Sequence, residues 1–328
     1  MAHYRDTLPQ LGGDLFLTDG GLETTLIFHD GLELPDFAAF VLLKDPEGNA
    51  ALRNYYRTYA ELAKQFHAGL VLDTATWRAS ADWGARLGYR SEELAEANRH
   101  AVGLLEDIRR AYETEQTKIV INGCIGPRGD GYVPDQRMTI EQAADYHRVQ
   151  IETFAQTAAD MVSALTMNYA EEAIGITQAA QQVGMPVVIS FTVETDGRLP
   201  TGQGLGEAIE AVEQATSRYP KYYMINCAHP THVARVLRAG ERFIQRIHGL
   251  RANASRMSHA ELNEAPELDI GNPVELGMQY AELKRQVRQL NVLGGCCGTD
   301  HRHIGQIAEA CGPLFRTSLE RPALGESC

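Results

Sequence analysis

Aromatic residues are scarce in this chain, at 7% with two tryptophans, and only six cysteines occur among 328 residues. So few cysteines cannot build the disulfide scaffold of a small secreted domain. The adjacent pair Cys296-Cys297 is poorly placed to pair with itself, because neighbouring Cα atoms lie ~3.8 Å apart and disulfides usually span more. Reduced thiols are expected, and metal binding or catalysis is the first question they raise. Positive charge is also short, with 30 lysines and arginines against 43 aspartates and glutamates and a net charge of −13. That balance repels phosphate backbones and anionic lipid, so neither a nucleic-acid nor a membrane partner is expected. No uninterrupted apolar run approaches the ~18 residues of a membrane span. The polar opening Met1-Ala2-His3-Tyr4-Arg5-Asp6 is not followed by the apolar core of a signal peptide. A cytoplasmic location is the expectation, with a homo-oligomer left open.

What is present suits a large buried core: 44% hydrophobic and 22% charged residues, unlike a disordered or fibrous chain. Length alone suggests about two domains at ~150 residues each, but α/β barrels exceed ~250 residues as one unit. Short β-branched runs at 15–19, 70–73, 118–123, 161–166, 186–193, 222–227, 243–250 and 290–293 are mostly followed by apolar residues at helical spacing. Ser91 stands before Glu92-Glu93 and the series Leu94, Ala97, Ala101, Leu105, Ile108, and Thr139 and Gln142 have capping-box spacing. Asn272-Pro273 precedes Leu276, Tyr280, Leu283 and Val287 on one face. Strand and helix alternate eight times with no linker or composition break. That pattern predicts a single α/β domain over 1–328, a (β/α)8 TIM-type barrel with its core at about 12–312 and peripheral ends at 1–13 and about 315–328. An open doubly wound sheet is the runner-up. Two long loops, 126–134 and 253–273, are placed to shape a site.

In a parallel barrel all strand C-termini face one way, and that end hosts the chemistry of barrel enzymes. The expected strand ends carry Asp19-Gly20-Gly21 with Glu23 beyond, then Asp73-Thr74 and Trp77, Asn122 and Cys124, Glu194, Asn226-Cys227, Arg251, and Gly294-Gly295-Cys296-Cys297-Gly298-Thr299. Strands six and eight lie two apart, so their end loops can gather Cys227, Cys296 and Cys297. Three thiolates at ~2.3 Å from a zinc ion leave one tetrahedral position open. Gly294, Gly295 and Gly298 would let adjacent cysteines point at one ion by adopting unusual dihedrals. The alternative is that the cysteines are small buried hydrophobes. A histidine-containing site also stays open, since His229 and His232 form His-x-x-His and His301 and His303 follow the Cys-Cys loop; Pro230 predicts a helix start there.

Asp19-Gly20-Gly21, Ile225-Asn226-Cys227 and Gly294-Gly295-Cys296-Cys297-Gly298-Thr299 resemble the three signatures of the homocysteine S-methyltransferase family, over about residues 12–312. The resemblance implies a (β/α)8 barrel, a zinc ion on Cys227, Cys296 and Cys297, and a substrate thiolate in the fourth position. One departure stands out. The family ends its fourth strand in Glu-Thr, the glutamate helping to hold the amino group of homocysteine, whereas Leu165-Thr166 occupy that place here. Asp19, Asp73 or Glu194 could take over, or the acceptor could lack an ammonium group.

The implied activity is methyl transfer from a small cationic donor (S-adenosylmethionine, S-methylmethionine or a betaine) to a thiol, homocysteine giving methionine. The alternative is a zinc- or thiol-binding protein of the same fold without turnover. A zinc-bound thiol is deprotonated and becomes nucleophilic at neutral pH. The expected substrate contacts are Asp19, Gly20, Gly21, Glu23, Asp73, Thr74, Trp77, Glu194 and Asn226, with Trp77 able to cover a donor cation with its ring. A further expectation weighed is a phosphate cradle in the glycine-rich loop after strand eight, which neighbouring thiolates would oppose.

Overall fold

The computed structural model describes residues 1–134, 137–237, 241–265 and 267–315; the expected peripheral tail therefore lies, beyond residue 315, outside the described residues. Eight parallel strands close into a barrel in chain order: β1 Phe16–Leu17, β2 Gly69–Asp73, β3 Ile119–Ile125, β4 Met161–Met167, β5 Val187–Phe191, β6 Tyr223–Asn226, β7 Ile247–Ala252 and β8 Val292–Gly295. Strands buried on both faces, as in a helix-wrapped barrel, read as continuous apolar runs, which is why these segments stand out in the sequence. β1 is only two residues long, yet the seam to β8 continues past it through Thr18 N to Leu293 O at 2.9 Å and Gly295 N to Asp19 O at 2.9 Å. The loops after β1 and β8 are thereby held side by side.

The helix starts follow the expected chemistry with one shift. Thr139 Oγ1 accepts from Gln142 N at 3.2 Å while Thr139 N donates to the Gln142 side chain at 3.0 Å, and Asn272 Oδ1 accepts from Val274 N and Glu275 N. Ser91 is instead the first residue of its helix, Ser91–Tyr112, whose entry is fixed by Arg90 N donating to Glu93. Strand seven is shorter than expected, because Arg242–Arg246 forms a 3-10 turn before β7 begins.

Within the first thirteen residues, Leu8 and Gln10 are buried under the barrel while most of the others are exposed or half-buried. Leu8 is buried with Phe16, Val71, Val120, Met161, Val188, Met224 and Val292. Asp160 accepts from the backbone of His3 and Tyr4 and pairs with buried Arg109 at 2.7 Å. Among the described residues no helix is long and apolar enough to cross a membrane.

Candidate metal centre at the barrel mouth

The sulfurs of Cys227, Cys296 and Cys297 converge at the C-terminal mouth, all within 4.8 Å of one another. Cys227 follows β6 and the other two follow β8. The sulfurs of Cys227 and Cys296 meet, with Cα atoms 5.4 Å apart, a spacing that an oxidised pair can bridge, and Cys297 is free. Cys124 and Cys311 are buried free thiols.

The backbone device that aims the sulfurs differs from the expected one. Gly294 and Gly295 do not adopt positive φ; a Cβ on the first would strike the Thr18 hydroxyl and on the second the Thr299 hydroxyl. Gly294 is a glycine because the end of β1 presses on β8 there, and Gly295 because the loop after β8 folds back on its own strand end. Only Gly298 of the three is left-handed, at φ 77°, and Cys227 itself has φ 55°, a conformation that costs a residue with Cβ roughly 1–2 kcal/mol. Hydrogen bonds over-determine that strained position: Cys227 N donates to Arg251 O at 3.0 Å, and Cys227 O accepts from Asn253 Nδ2 at 3.1 Å and His259 Nε2 at 2.5 Å.

Asn226 orders the same corner. Its Oδ1 accepts from Thr166 N at 2.8 Å and Ser190 Oγ at 2.6 Å, and its Nδ2 donates to Thr166 Oγ1 at 2.9 Å and Cys227 Sγ at 3.1 Å. Thr166, at φ 63°, is held by those bonds at the end of β4. Leu165 beside it is buried and supplies no carboxylate. Tyr132, from the loop after β3, donates to Cys297, and its ring lies 4.1 Å from that of His259. Burial pushes the Cys297 thiol up to about 11, helped by the charge of Glu23 and opposed by the Tyr132 hydroxyl.

The carboxylates expected to face substrate fall into two states. Arg251, at the end of β7, pairs with both Asp19 and Asp73 and donates from Nε to Gly295 O at 3.1 Å. Tyr55 OH donates to Asp19 at 3.1 Å, and Asn122 Nδ2 to Asp73 at 2.5 Å. Burial raises the Asp19 pKa, and Arg251 and Tyr55 oppose the rise. Glu194 meets His259 Nδ1 at 3.0 Å. His259 thus bridges the Glu194 carboxylate and the Cys227 carbonyl through its two ring nitrogens. Glu23, by contrast, meets no side-chain donor among the described residues, and burial first, then the Asp19 charge, raises it to about 7.

Thr74 Oγ1 accepts from Cys124 N at 2.9 Å and shares a 2.6 Å bond with Thr76, which staples the ends of β2 and β3. Gly20 and Gly21 face the Cys-Cys loop, where a Cβ on either would come within 2.7 Å of the carbonyl of Thr299 or Cys296 respectively. Trp77 is half-buried, with the Arg78 guanidinium 4.1 Å from its ring centroid. The other histidines turn away from the sulfurs. His229 Nδ1 bonds Thr231 at 2.8 Å, His232 the Arg256 carbonyl at 2.9 Å and buried His303 the Ile270 carbonyl at 2.8 Å, and His301 is exposed. A phosphate cradle finds little support, since the amides of Gly295, Cys296, Gly298 and Thr299 donate within the protein. Arg251, Tyr132 and His259 are the site residues that sequence reasoning left without a role. Their partners are remote in the chain, and the one local signal was a basic residue ending an apolar strand opposite rim carboxylates.

Residues 16–311 match the model of a family described as homocysteine S-methyltransferase. Similar proteins include homocysteine S-methyltransferase 2 of Arabidopsis thaliana, 22% identical with 92% of this chain and 94% of that one covered. Another is the homocysteine S-methyltransferase of Escherichia coli, 26% identical with 90% and 94% covered. Among solved structures, the oxidized form of the Escherichia coli homocysteine methyltransferase MmuM superposes with a TM-score of 0.73 at 20% identity, covering 92% of this chain and 99% of that one. Its metallated form gives 0.68 at 19% identity, with 90% and 96% covered. These superpositions bear out the barrel.

Proposed function

The chain belongs to the homocysteine S-methyltransferase family, and from that premise we propose that it moves a methyl group from a small cationic donor to the thiol of homocysteine, forming methionine. S-adenosylmethionine, S-methylmethionine and a betaine are the donor candidates. The observation that carries the reading is the three-sulfur cluster at the barrel mouth.

The donor set fits zinc. Three sulfurs leave one tetrahedral position for a substrate thiolate. Asn226 Nδ2 and the Tyr132 hydroxyl point hydrogens at two of the sulfurs, which favours their anionic form. Burial, helped by the Glu23 charge, raises the Cys297 thiol further above neutral pH, so thiolates at this depth call for a cation beside them. Zinc on Cys227, Cys296 and Cys297 would hold an incoming thiol as thiolate near neutral pH. The reduced form of the Cys227–Cys296 pair is the one competent to bind it.

The chain's own residues do the remaining work. The Asp19–Arg251–Asp73 network fixes the ends of β1, β2 and β7, so those two carboxylates and Gly20, Gly21 and Thr74 shape the pocket wall. Glu23 and Glu194 place carboxyl groups near the mouth, which favours a cationic donor in a water-poor setting. The Tyr132–His259 contact joins the loops after β3 and β7 across the opening and limits access of water. Trp77 packs with Arg78 on the rim and lines the donor side.

Incubating the reduced, zinc-loaded protein with homocysteine and each donor, with methionine detected by mass spectrometry, tests this. Methionine from at least one donor is expected. A second reading, a thiol-binding protein of this fold without turnover, draws on Leu165 in place of an acidic residue; homocysteine binding with no methionine from any donor would favour it.

A further inference from the structure

Glu23 and Arg78 have no ionic partner among the described residues, and they carry opposite charges. Arg78, five residues past the end of β2, is only 7% exposed. Its Nη1 donates to Gly129 O at 3.0 Å, and its enclosed Nε has no partner. The guanidinium lies 4.1 Å from the Trp77 ring centroid and 3.7 Å from that of Trp83. Stacking on two indoles holds the plane of an arginine while leaving its edge donors for a planar anion. A buried charged donor left unsatisfied is costly, so such a group normally meets water or a ligand. Asp130, in the loop after β3, is the acidic group whose charge Arg78 feels most, yet it makes no ion pair with it, and its Oδ1 accepts from Tyr132 N at 2.7 Å and Val133 N at 2.9 Å. Burial pulls Arg78 down to about 10, which leaves it charged at neutral pH.

Arg78 shares its surroundings with the sulfurs. Its charge interacts with those of Asp130, Tyr132 and Glu23, in that order, Tyr132 bonds Cys297, and the Glu23 charge is felt at Cys297. The other acidic groups are already used: Asp19 and Asp73 by Arg251, Glu194 by His259, and Glu172 by His147 at 2.9 Å and Arg128 N at 2.8 Å.

We propose that Arg78 is the subsite for the carboxylate of an α-amino acid substrate and that Glu23 takes the ammonium of the same molecule, in the role that Leu165 cannot fill. The proposal rests on the methyltransferase reading and names the end of the substrate that reading leaves unplaced. An α-amino acid end belongs to homocysteine and also to S-methylmethionine and S-adenosylmethionine, so the test has an arm for each source.

Calorimetric binding to the reduced, zinc-loaded full chain, one substrate at a time so that no turnover occurs, compares homocysteine with 3-aminopropane-1-thiol, which lacks only the carboxylate. A second arm compares S-methylmethionine with its decarboxylated sulfonium. In one arm the wild type is expected to prefer the carboxylate-bearing partner on the order of 10–100-fold. Arg78→Gln should erase that preference by weakening the carboxylate-bearing partner alone, and Glu23→Gln should weaken both members of the pair. The arm that responds identifies the source. A wild type indifferent to the carboxylate in both arms overturns the proposal without needing any variant to fold. So does an Arg78→Gln protein that unfolds cooperatively like the wild type and weakens both members equally. A wild type that holds zinc yet binds neither thiol overturns the methyltransferase reading as well.

Discussion

Arg251 and Arg78 face the same barrel mouth in opposite states. Arg251 ends β7 between two buried carboxylates and also reaches a carbonyl of β8. Arg78 lies in the loop after β2 against two indoles and, among the described residues, donates to one backbone carbonyl and makes no ion pair. The difference separates scaffold from site. A charge whose counter-ions are built into neighbouring strands locks those strands together, while a charge sheltered from water without a counter-ion is prepared to receive one.

Replacing each arginine breaks the comparison in a different place. Arg251→Met leaves Asp19 and Asp73 buried without their cation, and is expected to cost about 3–5 kcal/mol of stability in denaturant unfolding. Arg78→Met strands no carboxylate, and its stability should stay within about 1 kcal/mol of wild type. Equal losses in the two variants would remove the distinction. Asn226→Ala sharpens the same contrast on the sulfur side, because it deletes the hydrogen bond to Cys227 Sγ and the brace on Thr166. Metal affinity measured by chelator competition should fall roughly 10–100-fold, the usual effect of removing a residue that orients a metal ligand.

The smallest effect concerns Asp300, which caps helix His301–Cys311 just past the cysteines. Burial pushes its carboxyl up, but hydrogen bonds from His303 and Arg302 outweigh this and hold it well below the usual carboxylate range. A carboxyl whose folded pKa is depressed adds stability above its unfolded pKa and loses it as pH falls. Asp300→Ala should therefore cost about 1 kcal/mol near pH 7. The gap from wild type in thermal unfolding should narrow as the pH drops below about 4.

The barrel and the cysteine trio were legible in the sequence because both are written locally. Strands such as 161–166 announce themselves as apolar runs, and Gly294-Gly295-Cys296-Cys297-Gly298-Thr299 is one contiguous string. What stayed hidden depends on closure of the barrel. Arg251 meets Asp19 across 232 residues, and His259 joins Glu194 to Cys227 over 65 and 32 residues. No spacing rule reaches that far. Gly294 was visible as a glycine, but its purpose was not, since the hydroxyl that excludes a Cβ belongs to Thr18 at the far end of the chain. Leu8 and Gln10 read as part of an edge because the barrel they lie under exists only after β1 to β8 have closed.

The account stands or falls with the metal. Zinc per chain should be measured by mass spectrometry on protein purified under anaerobic reducing conditions, for the wild type and Cys296→Ala side by side. One zinc per wild-type chain and none in the variant is the predicted result. A wild type that neither carries nor acquires a metal ion, or a Cys296→Ala protein that keeps its full complement, would contradict it.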